Sequence, residues 1–147
     1  MDNGKWNWLE KARKFALNKH KGQLDDSGKD YFDAHIMQVF HILENVAIDD
    51  IELLCAALLH DTIEDTDTTY DELLYDFGKY IADLVMEVTH DGTKDEGYFF
   101  PRLHSQKGII LKFADRLSNI SRMEAWDDKR KEHYLKRSKF WKSGFER

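Results

Sequence analysis

Ile51-Glu52-Leu53-Leu54-Cys55-Ala56-Ala57-Leu58-Leu59 runs without a break into His60-Asp61-Thr62-Ile63-Glu64-Asp65-Thr66. From Ile51 to Leu59 apolar side chains cover every face of a helix, and a helix apolar all round lies at the centre of a domain. Asp49 followed by Glu52 reads as its start, a capping side chain with an acid three residues on. His60 and Asp61 therefore stand where apolar core belongs. Burying an unpaired carboxylate costs several kcal/mol or forces its protonation. A metal ion removes that cost by supplying the opposite charge. Neighbours on a helix differ by about 100° in direction, so His60 and Asp61 grip an ion from adjacent sides and other helices must complete the shell.

Working outward, every convincing periodicity is helical. Leu9, Ala12, Phe15 and Ala16 predict a helix over 5–20, and Lys21 to Asp30, with Gly22 and Gly28, reads as a loop. Ile36, Val39, Phe40, Leu43 and Ala47 mark a second helix. Thr69 and Glu72 form a possible capping box for a short helix ending near Gly78. Ile81, Leu84, Val85 and Val88 give another stripe; residues 91–103 are irregular. Ile110, Phe113, Ala114 and Leu117 open a long helix that could run to Trp126, with Phe113, Ala114 and Leu117 on its buried face. Tyr134, Leu135, Phe140 and Trp141 could pack a last, highly charged helix. No segment alternates strictly, and Pro101 is the only proline, so the expected fold class is all-α. The 147 residues read as a single domain over 1–147.

Bulk properties exclude several functions. A net charge of −6 does not suit a protein that coats a nucleic-acid polymer. The longest apolar run falls far short of the roughly 20 residues that span a bilayer, and Met1 to Lys5 carry no apolar signal segment. The lone cysteine, Cys55, sits in an apolar run and reads as a core thiol, which points to a cytoplasmic protein. Oligomeric state is open.

Asp115, in Lys112-Phe113-Ala114-Asp115-Arg116-Leu117, and His35, before the stripe that begins at Ile36, are the best further ligands. Two imidazoles and two carboxylates suit an octahedral first-row ion such as Mn²⁺, Fe²⁺ or Co²⁺; Zn²⁺ prefers four-coordination. A lone His-Asp pair arises often by chance, so the whole set carries the argument. Glu64 and Asp65 lie one turn on and can face the same cavity, handling the proton of an attacking water. Their rival reading is a solvated acidic helix end. Asn119, one turn beyond Asp115, can orient water or a phosphoryl oxygen, or be a surface amide near a bend. Lys112 and Arg122 are candidate phosphate contacts, and Arg116 reads as the partner of a nearby acid.

These segments resemble the HD superfamily of metal-dependent phosphohydrolases, and within it the hydrolase domain of the RelA/SpoT alarmone enzymes and the small Mesh1-like hydrolases. The matching stretches are His20-Lys21-Gly22-Gln23, Ser27-Gly28-Lys29-Asp30-Tyr31 leading to His35, Leu58 to Thr66, Glu87-Val88-Thr89 and Lys112 to Asn119. The resemblance implies an HD-type helical bundle that removes the 3′-pyrophosphate of (p)ppGpp, usually with Mn²⁺. It implies His35, His60, Asp61 and Asp115 as metal ligands, Glu64 and Asp65 on the attacking water, Asn119 supporting water or substrate, Tyr31 as a substrate contact and His104 at the pocket mouth. Asp25-Asp26 stands where the family carries Arg-Lys, whose arginine helps hold the guanine base. That reversal predicts weak alarmone binding, strengthened by Asp25→Arg. The alternatives are another nucleotide phosphatase or phosphodiesterase on this scaffold, and a catalytically silent nucleotide-binding regulatory domain.

Overall fold

The computed structural model describes residues 3–46, 49–90 and 102–137. Among them the fold is all-α, with one isolated antiparallel bridge, Leu24–Asp30, closing the loop after the first helix. No helix there is long and apolar enough to cross a membrane.

Helix α3 (Ile51–Leu59) is the centre, touched by the helices before and after it, and Leu53 to Leu59 are all buried. Its cap is Asp50, not Asp49: the Asp50 carboxylate accepts from the backbone N–H of Glu52 and Leu53. A capping side chain reaches the second and third helical N–H groups, and the helix starts at Ile51, so only the residue directly before it can serve. Cys55 is fully buried in this helix, and burial pushes its thiol up to about 12, so it is an inert core group.

Helix α1 (Asn3–Lys19) packs on α3 through the buried Ala12 and Ala16, whose small side chains allow close approach. The next helical run begins a turn earlier than the apolar stripe suggests. A π-helical turn, Phe32–Ile36, leads into α2 (Met37–Asn45), so His35 lies inside the run rather than opening it. The wide turn buries Phe32, His35 and Ile36 together. Such turns recur at functional sites because they re-aim a side chain.

After α3 the chain bends at His60-Asp61 and makes the single turn α4 (Thr62–Asp65), held by Thr62 Oγ1 donating 2.7 Å to the Leu59 carbonyl. Thr69 caps α5 (Tyr70–Phe77) by accepting from Glu72 N at 3.1 Å. Gly78, at φ 87°, reverses the chain into α6 (Lys79–Val88), and Ile81, Leu84, Val85 and Val88 of α6 are buried.

Glu87, near the end of α6, fixes where α7 (Gln106–Ile120) begins. Its buried carboxylate accepts from His104 N, Ser105 N and Ser105 Oγ at 3.1, 2.9 and 2.8 Å. Gly108 allows this approach, since a Cβ there would lie 2.5 Å from Glu87 Oε1. Two expectations about α7 are overturned. It stops at Ile120 rather than Trp126, and Ile110, Phe113 and Leu117 are exposed. The buried face is Leu111, Lys112, Ala114, Asp115, Arg116 and Ser118. Polar groups turn inward because they bond one another and the ends of α2 and α3, which apolar periodicity cannot register. Helix α8 (Asp128–Arg137) follows, with Tyr134 half-buried and Leu135 exposed. Residues 91–101, Ala47, Phe140 and Trp141 lie outside the described residues.

Candidate metal centre

The π turn, the end of α3 and the middle of α7 bring together His35, His60, Asp61 and Asp115, all buried, with one donor atom each within 4.8 Å of the others. His35 Nε2 lies 3.2 Å from His60 Nε2, and 3.0 and 3.3 Å from Asp115 Oδ1 and Asp61 Oδ2. His60 Nε2 is 3.2 and 3.3 Å from the same two oxygens. His60 Nδ1 donates 2.7 Å to the Ala57 carbonyl, so a neutral His60 ring directs its lone pair into the cluster.

Such a convergence of acceptors calls for positive charge. In the protein alone burial opposes a charged His60, but Asp61 and Asp115 outweigh it and hold the ring well above its ordinary value. Burial likewise opposes charge on the acids. His60 and His35 nevertheless hold Asp61 well below the usual carboxylate range, and Lys112 with the two rings does the same for Asp115. The donor set thus fits a metal ion by its chemistry: two imidazole nitrogens and two ionised carboxylates in a buried pocket. Each carboxylate has a further partner, Asp61 on the oxygen that faces the rings and Asp115 on its other oxygen. Tyr31 Oη donates 2.5 Å to Asp61 Oδ2, and Lys112 Nζ donates 2.9 Å to Asp115 Oδ2.

Glu64 and Asp65 stand beside the cluster. Glu64 Oε1 accepts from His90 N at 2.8 Å, and burial, then the Asp61 charge, push its carboxyl up to about 8. Asp65 is raised by the same two causes. Its Oδ2 accepts from Gln23 Nε2 at 3.2 Å, and Gln23 Oε1 lies 2.7 Å from the ring of fully buried His20.

A cavity of about 190 Å³ opens over Asp61, Glu64, His90, Lys112, Asp115 and Arg116. A larger one, about 680 Å³, is lined by Gln23, Asp25, Asp26, Arg122, Trp126 and Arg130 among others. Tyr31, Asp65, Asn119 and Tyr134 line both. The acids of the Asp25-Asp26 loop are matched by cations. Asp25 Oδ2 accepts from Arg122 Nη1 at 3.0 Å, while its Oδ1 holds the N–H groups of Ser27 and Lys29. Asp26 Oδ2 accepts from Trp126 Nε1 at 2.7 Å and pairs with Arg130 at 2.9 Å.

Residues 12–95 match the family described as HD domain. The chain belongs to the HD domain family. The human guanosine-3′,5′-bis(diphosphate) 3′-pyrophosphohydrolase MESH1 is 39% identical over 86% of this chain and 78% of its own length. The Xenopus tropicalis protein of that name is 38% identical over 84% and 76%. An Aquifex aeolicus guanosine-3′,5′-bis(diphosphate) 3′-pyrophosphohydrolase is 36% identical over 84% of this chain, which spans 19% of it. A solved structure, described as a metazoan ortholog of SpoT that hydrolyzes ppGpp and plays a role in starvation responses, superposes with a TM-score of 0.79. It is 29% identical and covers 90% of this chain and 82% of its own.

Within this domain the candidate substrate side chains line the cavities and are also engaged by protein partners. The Tyr31 hydroxyl is engaged by Asp61, though its ring lines both cavities. Lys112 holds Asp115, and Arg122 holds Asp25 and Asn119 Oδ1, each while lining a cavity. Asn119 lines both cavities, with Nδ2 donating 2.8 Å to Tyr134 Oη. The Arg116 guanidinium lies 4.4 Å over the Tyr134 ring. His104 is 77% exposed, faces Glu87 and lines neither cavity, because the Glu87 bonds draw its backbone away from the mouth. Sequence reasoning missed His90, Trp126, Arg130 and Tyr134. The aromatics of the Trp126–Tyr134 segment amid charge were their one available signal.

Proposed function

We propose that this HD domain removes the 3′-pyrophosphate of guanosine tetra- or pentaphosphate, with one Mn²⁺ ion held by His35, His60, Asp61 and Asp115. The chain is a hydrolase by family and relatives, and the relatives' names supply the substrate class. The observation that carries the reading is the buried cluster with Glu64 beside it, opening into the 190 Å³ cavity, which shares Tyr31, Asp65, Asn119 and Tyr134 with the 680 Å³ cavity. When bound, the ion supplies Lewis acidity to a phosphoryl oxygen and acidifies water.

The protein's own groups do the rest. Glu64 lines the smaller cavity beside Asp61 and Asp115, so it takes the proton of the attacking water. Asp65, fixed by Gln23, orients that water. The water oxygen bonds to phosphorus, the bond from phosphorus to the 3′-oxygen breaks, the 3′-oxygen takes up a proton and pyrophosphate leaves. Lys112 and Arg116 line the smaller cavity and offset phosphate charge against the surrounding acids. The 680 Å³ cavity falls within the roughly 300–1,000 Å³ of small-molecule sites. Trp126 and Tyr134 line it with aromatic rings for the base, and Arg122 and Arg130, paired with Asp25 and Asp26, add guanidinium N–H donors to its wall.

The test is to strip the protein with chelator, reload it with Mn²⁺ and assay it against a nucleotide panel that includes both alarmones. Pyrophosphate appearing with GDP or GTP, only when Mn²⁺ is present, is the expected result. Turnover of other nucleotides but neither alarmone would refute the substrate, and tight nucleotide binding without turnover would refute the enzyme.

A further inference from the structure

Behind His35, on the side away from the cluster, runs a chain of hydrogen bonds whose direction can be worked out. Its last member is the backbone carbonyl of Ser118, which can only accept. Ser121 Oγ lies 2.7 Å from that carbonyl and 3.4 Å from Gln38 Oε1, so its single proton goes to the carbonyl. Toward Gln38 the Ser121 hydroxyl is then an acceptor, which puts Nε2 of Gln38 against it at 3.1 Å. That orientation leaves Gln38 Oε1 facing Ser118 Oγ at 2.7 Å, where Oε1 must accept and the hydroxyl must donate. With its proton committed, Ser118 Oγ can only accept from the His35 Nδ1, 2.8 Å away. The His35 proton is thereby fixed on Nδ1, and Nε2 presents its lone pair to Asp61, Asp115 and His60.

We infer that Ser118, backed by Gln38 and Ser121, sets the tautomer of His35 and is a positioning residue of the metal centre. The inference rests on His35 being a metal ligand. Ser118 is fully buried and lines neither cavity, so its hydroxyl acts on the centre only through His35. His60 obtains the same tautomer from the Ala57 carbonyl of its own helix. His35, in the π turn, obtains it from α7 and α2. The ligand sphere is therefore coupled to the packing of α2 against α7, two helices in direct contact. Partners of this kind typically change metal affinity by about 10–100-fold.

The experiment has two independent arms. The Mn²⁺ affinity of apo protein is measured by chelator competition for wild type, Ser118→Ala, Gln38→Met and Gln38→Glu. Ser118→Ala should bind Mn²⁺ about 10–100-fold more weakly. Gln38→Met should weaken it less, and Gln38→Glu, which keeps an acceptor for the Ser118 hydroxyl, should stay near wild type. In the second arm, ¹⁵N shifts of the wild-type apo His35 ring, recorded where the ring is neutral, should report the proton on Nδ1. Unchanged affinity in Ser118→Ala, or a wild-type His35 protonated on Nε2, overturns the proposal. If Ser118→Ala does not fold, the ring shifts and the Gln38 pair decide. Wild type that binds no Mn²⁺ would contradict the metal assignment instead, while the ring shifts still judge the tautomer device.

Discussion

The buried His-Asp cluster and the 680 Å³ cavity meet at Tyr31 and Asp65, yet they are built on opposite rules. In the cluster each donor residue is buried and held by a partner outside the set: Ala57 for His60, Tyr31 for Asp61, Lys112 for Asp115 and Ser118 for His35. In the cavity wall, charges are matched in pairs brought from far apart in the chain, Asp25 with Arg122 and Asp26 with Arg130. A buried donor has no substitute, so one change there is severe. A matched pair can change sign jointly, so one half of it says little about the ligand. The charge of Asp25-Asp26 is answered from the other end of the sequence by Arg122 and Arg130.

The largest effects should fall on the cluster. His60→Ala and Asp61→Ala should each lose bound Mn²⁺ and drop turnover to background, read by metal analysis and pyrophosphate release. Full metal occupancy in both would dissolve the contrast drawn above. Next comes Glu64→Gln, which should keep the metal and lower kcat by about 10² to 10⁴. The same variant has a stability signature. The folded Glu64 value of about 8 lies above its ordinary 4.5, so the folded state binds this proton more tightly than the unfolded state. Its contribution is complete below 4.5 and is lost as pH rises through about 8. Metal-free wild type should therefore lose Tm from pH 5 to 9 more steeply than Glu64→Gln. His60 adds a slope of the same sign above 6.5 that both proteins keep.

At the cavity wall the expected effects are smaller and of another kind. Asp25→Arg, which the charge reversal suggested would help an alarmone bind, should lower Tm by several degrees and weaken binding. It would put a second cation against Arg122 and remove the acceptor for Ser27 N and Lys29 N. Stronger alarmone binding at unchanged stability would show that the pairing does not organise the wall. Smallest is Trp126→Ala. Base stacking on an aromatic is worth about 1–3 kcal/mol, so KM should rise about 5–150-fold, with less change in kcat. A kcat loss as large as that of Glu64→Gln would erase the distinction between wall and cluster.

How far the sequence could be read follows the same division. Leu53 to Leu59 carry an all-round apolar pattern, and their burial at the centre, ending in His60-Asp61, is what that pattern dictates. The stripe at Ile81, Leu84, Val85 and Val88 reads equally well, because α6 buries all four, with Ala82 beside them. Helix α7 reads backwards at Phe113 and Leu117, which face out, while Lys112, Asp115, Arg116 and Ser118 face inward. Lys112 holds Asp115 within the helix, and His35, His60, Tyr134 and Gln38 from other elements meet Asp115, Arg116 and Ser118. His35 could be located but not its setting, since a π turn leaves no periodic trace in five residues. The cavity wall was least readable, because Asp25 with Arg122 and Asp26 with Trp126 are 97 and 100 residues apart and no local spacing links them.

The most direct test of the account is an anomalous-scattering map from crystals grown with Mn²⁺. One peak per chain, seated among His35 Nε2, His60 Nε2 and the carboxylates of Asp61 and Asp115, is the predicted result. A peak elsewhere, or none at saturating Mn²⁺ with the four side chains ordered, would contradict the claim that this buried cluster is the centre of the enzyme.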